Sequence, residues 1–382
     1  MTTMDICVLN PFFYPYNGGT EKVLLEIYKR LAKRHNVTVI SAGFGSFTRD
    51  TEEFGIRVIR LKSKYFDIPG LPLPFPVMEG MNRAVENVGA DVYHINNRYL
   101  YYYRTLNAIK DAGSGLLLTL HNSLPVGIDP FTDFGGLAYD VLWGREIMRR
   151  ADRLVGITKS VIEVTVPLKL RHKSEVIFNG VDMERFRKRA DDERVNKIRS
   201  ALGGEEILLN VARLTSQKGQ IYLMRAFSGI MKQHRKARLV IIGDGPLGRR
   251  LKNEAKRLGI ESRVDMLKGI DERMLPFYYN SADVFALPSL YEPASMALLE
   301  ALASEVPTVA SKVGGIPEMM KDCGVYSLPK DQDSIQNGIE RLLSSKKEAA
   351  RKAAKGRRLM EKEHDWDKIA TAYERALYSA SR

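Results

Sequence analysis

Along most of this chain, short and nearly continuous apolar runs alternate with longer amphipathic segments, and that alternation limits the possible folds more than any other feature. A run that is apolar on consecutive residues fits a strand buried on both faces, which means a parallel sheet with helices packed on either side. Asp5–Leu9, Val37–Ser41, Ile56–Leu61, Val92–Ile95, Leu116–Leu120 and Arg153–Ile157 predict the strands of one such sheet. Ile207–Val211, Leu239–Ile242, Val264–Leu267, Val284–Leu287 and Thr308–Ala310 predict a second. At 382 residues the chain is too long for one ordinary core. Two doubly wound, Rossmann-like α/β domains follow, residues 1–180 and residues 181–365. The boundary falls at the Asn179-Gly180 turn, just before the mixed-charge stretch Arg185–Arg199. Beyond them, Trp366, Ile369, Ala370, Tyr373 and Leu377 recur at helical spacing and predict a terminal helix.

Composition removes several classes of function. No apolar run approaches the roughly 18 residues that span a bilayer, and the N-terminus lacks the basic-then-apolar pattern of a signal peptide. A water-soluble cytoplasmic protein is expected, free or at the inner face of the cell membrane. Two cysteines, Cys7 and Cys323, and scattered histidines provide neither a disulfide framework nor metal-ligand spacing, so no metal site is expected. The net charge of +13 fits an anionic membrane surface, a polyanionic substrate or nucleic acid, and equally a set of solvated basic helices. No helix-turn-helix, zinc-finger or RNP-type signature accompanies it, and nucleic acid is not the expected partner.

The chemistry concentrates in Pro288-Ser-Leu-Tyr-Glu-Pro-Ala-Ser-Met-Ala-Leu-Leu-Glu300, where an apolar run ends in a loop and a helix begins. Backbone N–H groups gather at a helix N-terminus and favour an anion there. With Pro293 at the first helical position, Glu292 stands at the helix mouth and Glu300 about 12 Å further along the axis. That span suits a ligand with a diphosphate in its middle and hydroxyls at both ends, as in a nucleotide-sugar.

Further loops fall at predicted strand ends, where open α/β sheets bind ligands. After Ile207–Val211 comes Ala212-Arg-Leu-Thr-Ser-Gln-Lys-Gly219, in which Arg213 offers a planar fork and Lys218 a point charge for phosphate oxygens. After the first strand comes Asn10-Pro-Phe-Phe-Tyr-Pro-Tyr-Asn-Gly-Gly-Thr-Glu21; G-x-G-x-x-G and P-loop patterns are absent, so the NAD and ATPase readings weaken. What remains is a Gly18-Gly19 turn that can bring backbone N–H groups to a phosphate or carboxylate, or a plain turn capped by Thr20. His121 ends a buried strand. Asp331-Gln-Asp333 and Asp365-Trp-Asp367 resemble metal-binding pairs but precede helices, where capping explains them. Taken singly, each loop is also what an ordinary βα turn looks like.

Their ordered co-occurrence resembles the retaining glycosyltransferases of family 4, with the GT-B fold, over nearly the whole chain. The resemblance rests on the E-x7-E element from Glu292 to Glu300 with Pro307-Thr-Val-Ala-Ser311 after it, Arg213 with Lys218-Gly219, Asn179-Gly-Val-Asp182, and Gly18-Gly19-Thr-Glu21. It implies two facing Rossmann-like domains with an active site between them, the first for the acceptor and the second for the donor, and a C-terminal helix over residues 366–382 crossing back to the first. It also implies that Arg213 and Lys218 bind the donor diphosphate, Glu300 the ribose hydroxyls and Glu292 the sugar hydroxyls. By the same resemblance His121 faces the transferred sugar, Gly19 lends its backbone to the phosphate or acceptor side, Ile270 contacts the base, and Ser295 and Met296 contribute N–H groups near the diphosphate. No cofactor beyond a UDP-, GDP- or ADP-sugar donor is implied.

Where the family has E-G-F-G, this chain has Glu292-Pro-Ala-Ser295, losing a backbone donor and gaining a methyl where the sugar approaches. Ala212 stands where a glycine is common. Transfer with retention needs the anomeric bond to loosen as a diphosphate leaves, and two cations with a helix N-terminus can meet that charge without a metal. No residue stands out as a nucleophile, which favours front-face attack. The acceptor is open: a lipid-linked or cell-envelope glycan acceptor would suit Lys62-Ser-Lys64-Tyr-Phe66 and the Leu71–Val77 loop at an anionic membrane. A sugar-phosphate synthase with a soluble acceptor and a non-catalytic sugar-nucleotide-binding protein are the alternatives.

Overall fold

The structure, a computed structural model, describes every residue except 1, 17, 46, 67–74, 100, 101, 123–136, 190, 191 and 204. The chain divides into two compact units, Met1–Asn179 together with Trp366–Arg382, and Gly180–Asp365.

The first unit is built on a sheet of β1 (Asp5–Leu9), β2 (Asn36–Gly43), β3 (Arg49–Glu53), β4 (Ile56–Phe66), β5 (Phe75–Met78), β6 (Val92–Asn96), β7 (Gly115–Leu120), β8 (Arg153–Gly156) and β9 (Ser174–Val176). Its order is β3-β4-β2-β1-β6-β7-β8-β9, with β5 also on β4. Pairs are parallel except that β3 and β5 run antiparallel to β4. The strand order reverses between β1 and β6, which opens a crevice at their carboxyl ends. Of the stretch expected to form the Leu71–Val77 loop, residues 71–74 lie outside the described part, and Phe75–Met78 is the short strand β5.

The Trp366–Ala380 helix belongs to this unit. It buries Trp366, Ile369, Ala370, Tyr373 and Leu377, the positions that share one face at 3.6 residues per turn. It also places Glu374 against Arg34 and His35, at 2.9 and 2.8 Å.

The second unit carries β10 (Ile207–Val211), β11 (Arg238–Ile242), β12 (Val264–Leu267), β13 (Val284–Leu287), β14 (Thr308–Ser311) and β15 (Val325–Ser327). All pairs are parallel, in the order β12-β11-β10-β13-β14-β15, the doubly wound arrangement whose reversal lies between β10 and β13. Alternate side chains serve opposite faces. Leu209, Val240, Ile242, Phe285 and Leu287 join the core on one side, and Leu208, Leu239, Ile241, Val284 and Ala286 the core on the other. That is why these strands read as continuous apolar runs.

Candidate functional site

At the second unit's switch point, two loops from neighbouring strands are tied together. After β10, Leu214 is buried and its N–H donates to the Asp244 carbonyl at 2.8 Å, while the Arg213 carbonyl accepts from the Gln220 side chain at 2.9 Å. Gly243 and Gly245 lie so close to this segment that a Cβ on either would collide with the Ala212 or Leu214 backbone. With its backbone held on both sides, Arg213 is left exposed, with no side-chain partner among the described residues. Lys218 closes a short 3-10 turn, and Gly219 follows at φ +64, where a Cβ would strike the Pro288 carbonyl oxygen. The Leu290 N–H donates to the Gln217 carbonyl at 2.7 Å, completing the seam between the β10 and β13 loops.

Across that seam the Lys218 ammonium donates to Glu292 Oε2 at 2.6 Å, and Ser289 donates to the same oxygen at 2.9 Å. Glu292 is buried, only 3% exposed. Its backbone carbonyl accepts from Gly315 N–H at 3.0 Å, and Gly314, at φ +51, leaves no room for a Cβ beside that carbonyl. A buried carboxylate survives when paired and hydrogen-bonded; here one cation and one hydroxyl share Oε2, and Oε1 has no partner among the described residues.

The helix that follows begins later than the sequence pattern predicts. It spans Met296–Ala303, and Ser295 is the N-cap, accepting from Leu298 N–H at 3.3 Å. Pro293 therefore lies ahead of the cap, not at the first helical position, because the serine hydroxyl outcompetes it as a helix start. Glu292 sits in the loop, so only the rise from Met296 to Glu300, about 6 Å, is helical. Ser295 and Met296 stand at the helix N-terminus, whose first N–H groups have no intrahelical acceptors. Glu300 accepts from the buried Tyr279 hydroxyl at 2.8 Å, a contact that helps to raise the phenol well above its ordinary pKa on top of the larger effect of burial. Ile270 is half-buried at the carboxyl end of β12, beyond the turn at Gly269 (φ +67).

In the first unit, Gly19 opens the Gly19–Leu31 helix beyond β1, and His121 follows β7. His121 Nε2 is 3.1 Å from Asn96 Oδ1, its backbone N–H donates to Asn97 Oδ1 at 3.0 Å, and burial lowers its pKa to about 4. The ring is neutral near pH 7. Beneath it, His94 bridges Tyr28 and Thr119 (2.7 Å to the threonine) and is pushed down to about 3, first by burial and then by His121.

Arg213, Lys218, Glu292, Ser295, Met296, Glu300 and Ile270 thus lie in the second unit and Gly19 and His121 in the first. The residue-by-residue reading did not single out Ser289, Tyr279, Asn10, Asn96 or Glu21, nor the hold of Gly314 and Gly315 on Glu292. The spacing of Ser289 three residues ahead of Glu292 is the sequence signal for that contact. Among the described residues there is no group of three or more His, Cys, Asp or Glu side chains placed to hold a metal ion, and no helix long and apolar enough to cross a membrane.

Two doubly wound, mainly parallel sheets in one chain are the GT-B class of fold. Residues 17–185 match the family model "Glycosyltransferase Family 4", and residues 191–359 match "Glycosyl transferases group 1". An uncharacterised glycosyltransferase of Methanocaldococcus jannaschii is 38% identical over 177 residues, 45% of this chain and 45% of that protein. The GDP-mannose-dependent alpha-(1-6)-phosphatidylinositol monomannoside mannosyltransferase of Mycolicibacterium smegmatis is 33% identical over 187 residues, 47% of this chain and 49% of that one. The match spans about half the length of each of these relatives. Among solved structures, HepE of Anabaena with UDP and glucose has a TM-score of 0.77 at 21% identity, covering 98% of this chain and all of that one. The chain belongs to the family 4, group 1 glycosyltransferases.

Proposed function

We propose that this protein transfers a sugar from a nucleotide-diphosphate-sugar to a hydroxyl acceptor with retention of configuration. The observation that carries this reading is the seam at the β10/β13 switch, where Lys218 is bonded to Glu292 three residues ahead of the Ser295 cap of the Met296–Ala303 helix, with Arg213 exposed on the same loop as Lys218. Arg213 has a guanidinium free to take a bidentate phosphate partner. Lys218 exchanges part of its bond to Glu292 for the diphosphate, and the helix N-terminus adds partial positive charge. These groups oppose the charge that builds on the departing diphosphate, with no need for a divalent ion. The open Glu292 oxygen accepts from a sugar hydroxyl, and Glu300 takes the ribose hydroxyls. No side chain is assigned as nucleophile; attack occurs on the face from which the diphosphate leaves, and a leaving phosphate oxygen takes the acceptor proton.

The donor reading is tested by a thermal-shift screen against UDP, GDP, ADP and their sugars. One base family should raise Tm, because binding to the native state alone adds about 2.7 kcal/mol of stability at a hundred times Kd, and Arg213→Ala should abolish that shift. No response to any nucleotide would remove the donor site. For the acceptor we favour a lipid-linked glycan reached from an anionic membrane surface. What supports this is the chain's net charge, the exposed Phe66 next to Lys62 and Lys64, and the lipid acceptor in the name of the mycobacterial relative. Co-sedimentation with anionic liposomes at low salt is expected; its absence would discard the membrane contact.

A further inference from the structure

We infer that Tyr279 is a positioning residue of the donor site: its buried hydroxyl holds the Glu300 carboxylate in the orientation that meets the ribose, so that ribose recognition depends on a phenol that does not itself touch the ligand. This rests on the donor reading above, in which Glu300 takes the ribose hydroxyls, and names the group that readies Glu300 for that role.

Tyr279 lies on the Leu275–Ser281 helix and is 0% exposed. Its ring meets Phe186 edge-on at 5.8 Å and Phe285 at 5.7 Å, in a core shared with Leu287, Leu298 and Leu299. For that packing a phenylalanine would suffice. The hydroxyl is the costly part, since a polar group moved from water into an apolar core is a loss unless it is bonded. Its one hydrogen bond among the described residues is donated to Glu300 Oε2, at 2.8 Å. Burial first, and then the carboxylate, hold the phenol well above its ordinary pKa, so it stays a donor.

Glu300 gains what the phenol supplies. It is half-buried, on the fifth residue of the Met296–Ala303 helix, past the Ser295 cap and the first turn. A glutamate side chain left to itself samples many rotamers, and fixing it on a ligand costs affinity. Two neighbouring ribose hydroxyls donate to one carboxylate only when its plane faces them, so orientation matters as well as charge. Held at Oε2 from inside the core, the carboxylate has its direction set before a ligand arrives. The same device recurs at the other acid of the E-x7-E element: Ser289, also 0% exposed, donates to Glu292 Oε2 at 2.9 Å. Each carboxylate is gripped at one oxygen by a hydroxyl that solvent does not reach.

Calorimetric titration of the full chain with the nucleoside diphosphate chosen by the thermal-shift screen, and with its 2′,3′-dideoxy analogue, reads the ribose contribution directly. Wild type should bind the ribonucleotide at least about tenfold more tightly than the analogue, the scale of hydrogen bonds to a charged group. Tyr279→Phe keeps the ring and should shrink that preference at least about fivefold, all of it through the ribonucleotide, with the analogue bound as in wild type. Glu300→Gln should shrink the preference as far or further, and adding Tyr279→Phe to it should change nothing more. Tyr279→Met, whose thioether fills the space without a donor, repeats the test if the phenylalanine variant does not fold. Equal weakening of both ligands shows a merely structural phenol and overturns the inference; so does a wild-type preference in Tyr279→Phe. A wild type without the preference, or a preference that survives Glu300→Gln, refutes the ribose role of Glu300 and the inference falls with it. A chain that binds no nucleotide refutes the donor reading, and the thermal-shift screen shows this separately.

Discussion

Lys218→Ala lowers the rate of sugar transfer by at least about a hundredfold, and Arg213→Ala does the same, the scale on which a preorganised charge partner of a transition state is lost. The two should differ in stability. Arg213 is exposed and unpartnered among the described residues, so its removal leaves folding nearly unchanged. Lys218 is the cation of a pair whose carboxylate is 3% exposed. Removing it strands a buried charge, a loss of about 3 kcal/mol when one partner of a buried pair goes. The two effects can be separated. Lys218→Met combined with Glu292→Gln replaces the pair by a thioether and a neutral amide that still accepts from Ser289. The double variant should recover most of the lost Tm and still transfer at no more than about one hundredth of the wild-type rate. Near-normal turnover in both single variants would sink the assignment. Recovery of turnover along with stability would show that Lys218 acts only by holding Glu292.

What the sequence alone conveys depends on how local the determining interaction is. The strands β1, β10, β12 and β13 are legible to the residue: helices on both faces make β1, β10 and β13 nearly continuous apolar runs, while β12, half-buried at the sheet edge, shows through Val264, Met266 and Leu267. β3 is not. Its sequence, Arg-Asp-Thr-Glu-Glu, has no apolar face and exists as a strand only because β4 offers it hydrogen bonds. β5 carries Pro76 and pairs with β4 alone, while β9 and β15 are three residues each, too short for a period to show. The start of the Met296–Ala303 helix was misplaced because two good start signals, Pro293 and Ser295, stand two residues apart; only the geometry of the serine hydroxyl decides between them.

In the site, residue types that bind phosphate were visible as motifs, but their mutual arrangement was not. Lys218 and Glu292 are 74 residues apart, and nothing in either loop announces that one neutralises the other. Glu21 belongs to the Gly18-Gly19-Thr-Glu21 turn, yet its burial shows only in the fold, and the β1 and β6 register is what brings Asn10 level with Asn96. Pairing across a sheet is a long-range property, and no single loop carries it.

Deleting residues 366–382 should abolish cooperative folding of the first unit while the second keeps its own transition. Trp366, Ile369, Tyr373 and Leu377 are each at most 5% exposed, and burying such a side chain is worth roughly 1.5–3 kcal/mol, against about 5–15 kcal/mol for a whole domain. Polar contacts are lost with them. Glu374 accepts from the Arg34 guanidinium and bonds the buried His35 ring, the Tyr373 hydroxyl lies 3.5 Å from Thr119, and Tyr378 donates to the Thr2 carbonyl. At the helix end, a Cβ on Gly115 would collide with the Ala380 backbone, so the helix rests directly on the start of β7. Its removal uncovers apolar surface of β6, β7 and β8, the strands it packs against. Hydrogen exchange is the decisive measurement. In the deletion variant, amides of β1, β6 and β7 should exchange fast while those of β10, β11 and β13 keep wild-type protection, because the second unit has its own two cores. Retained protection in β6 and β7 would mean that the sheet is stable without its terminal helix. Glu374→Ala is the graded version: it leaves the apolar face in place and strips one carboxylate from His35 and Arg34, and the first unit should then lose stability yet still fold.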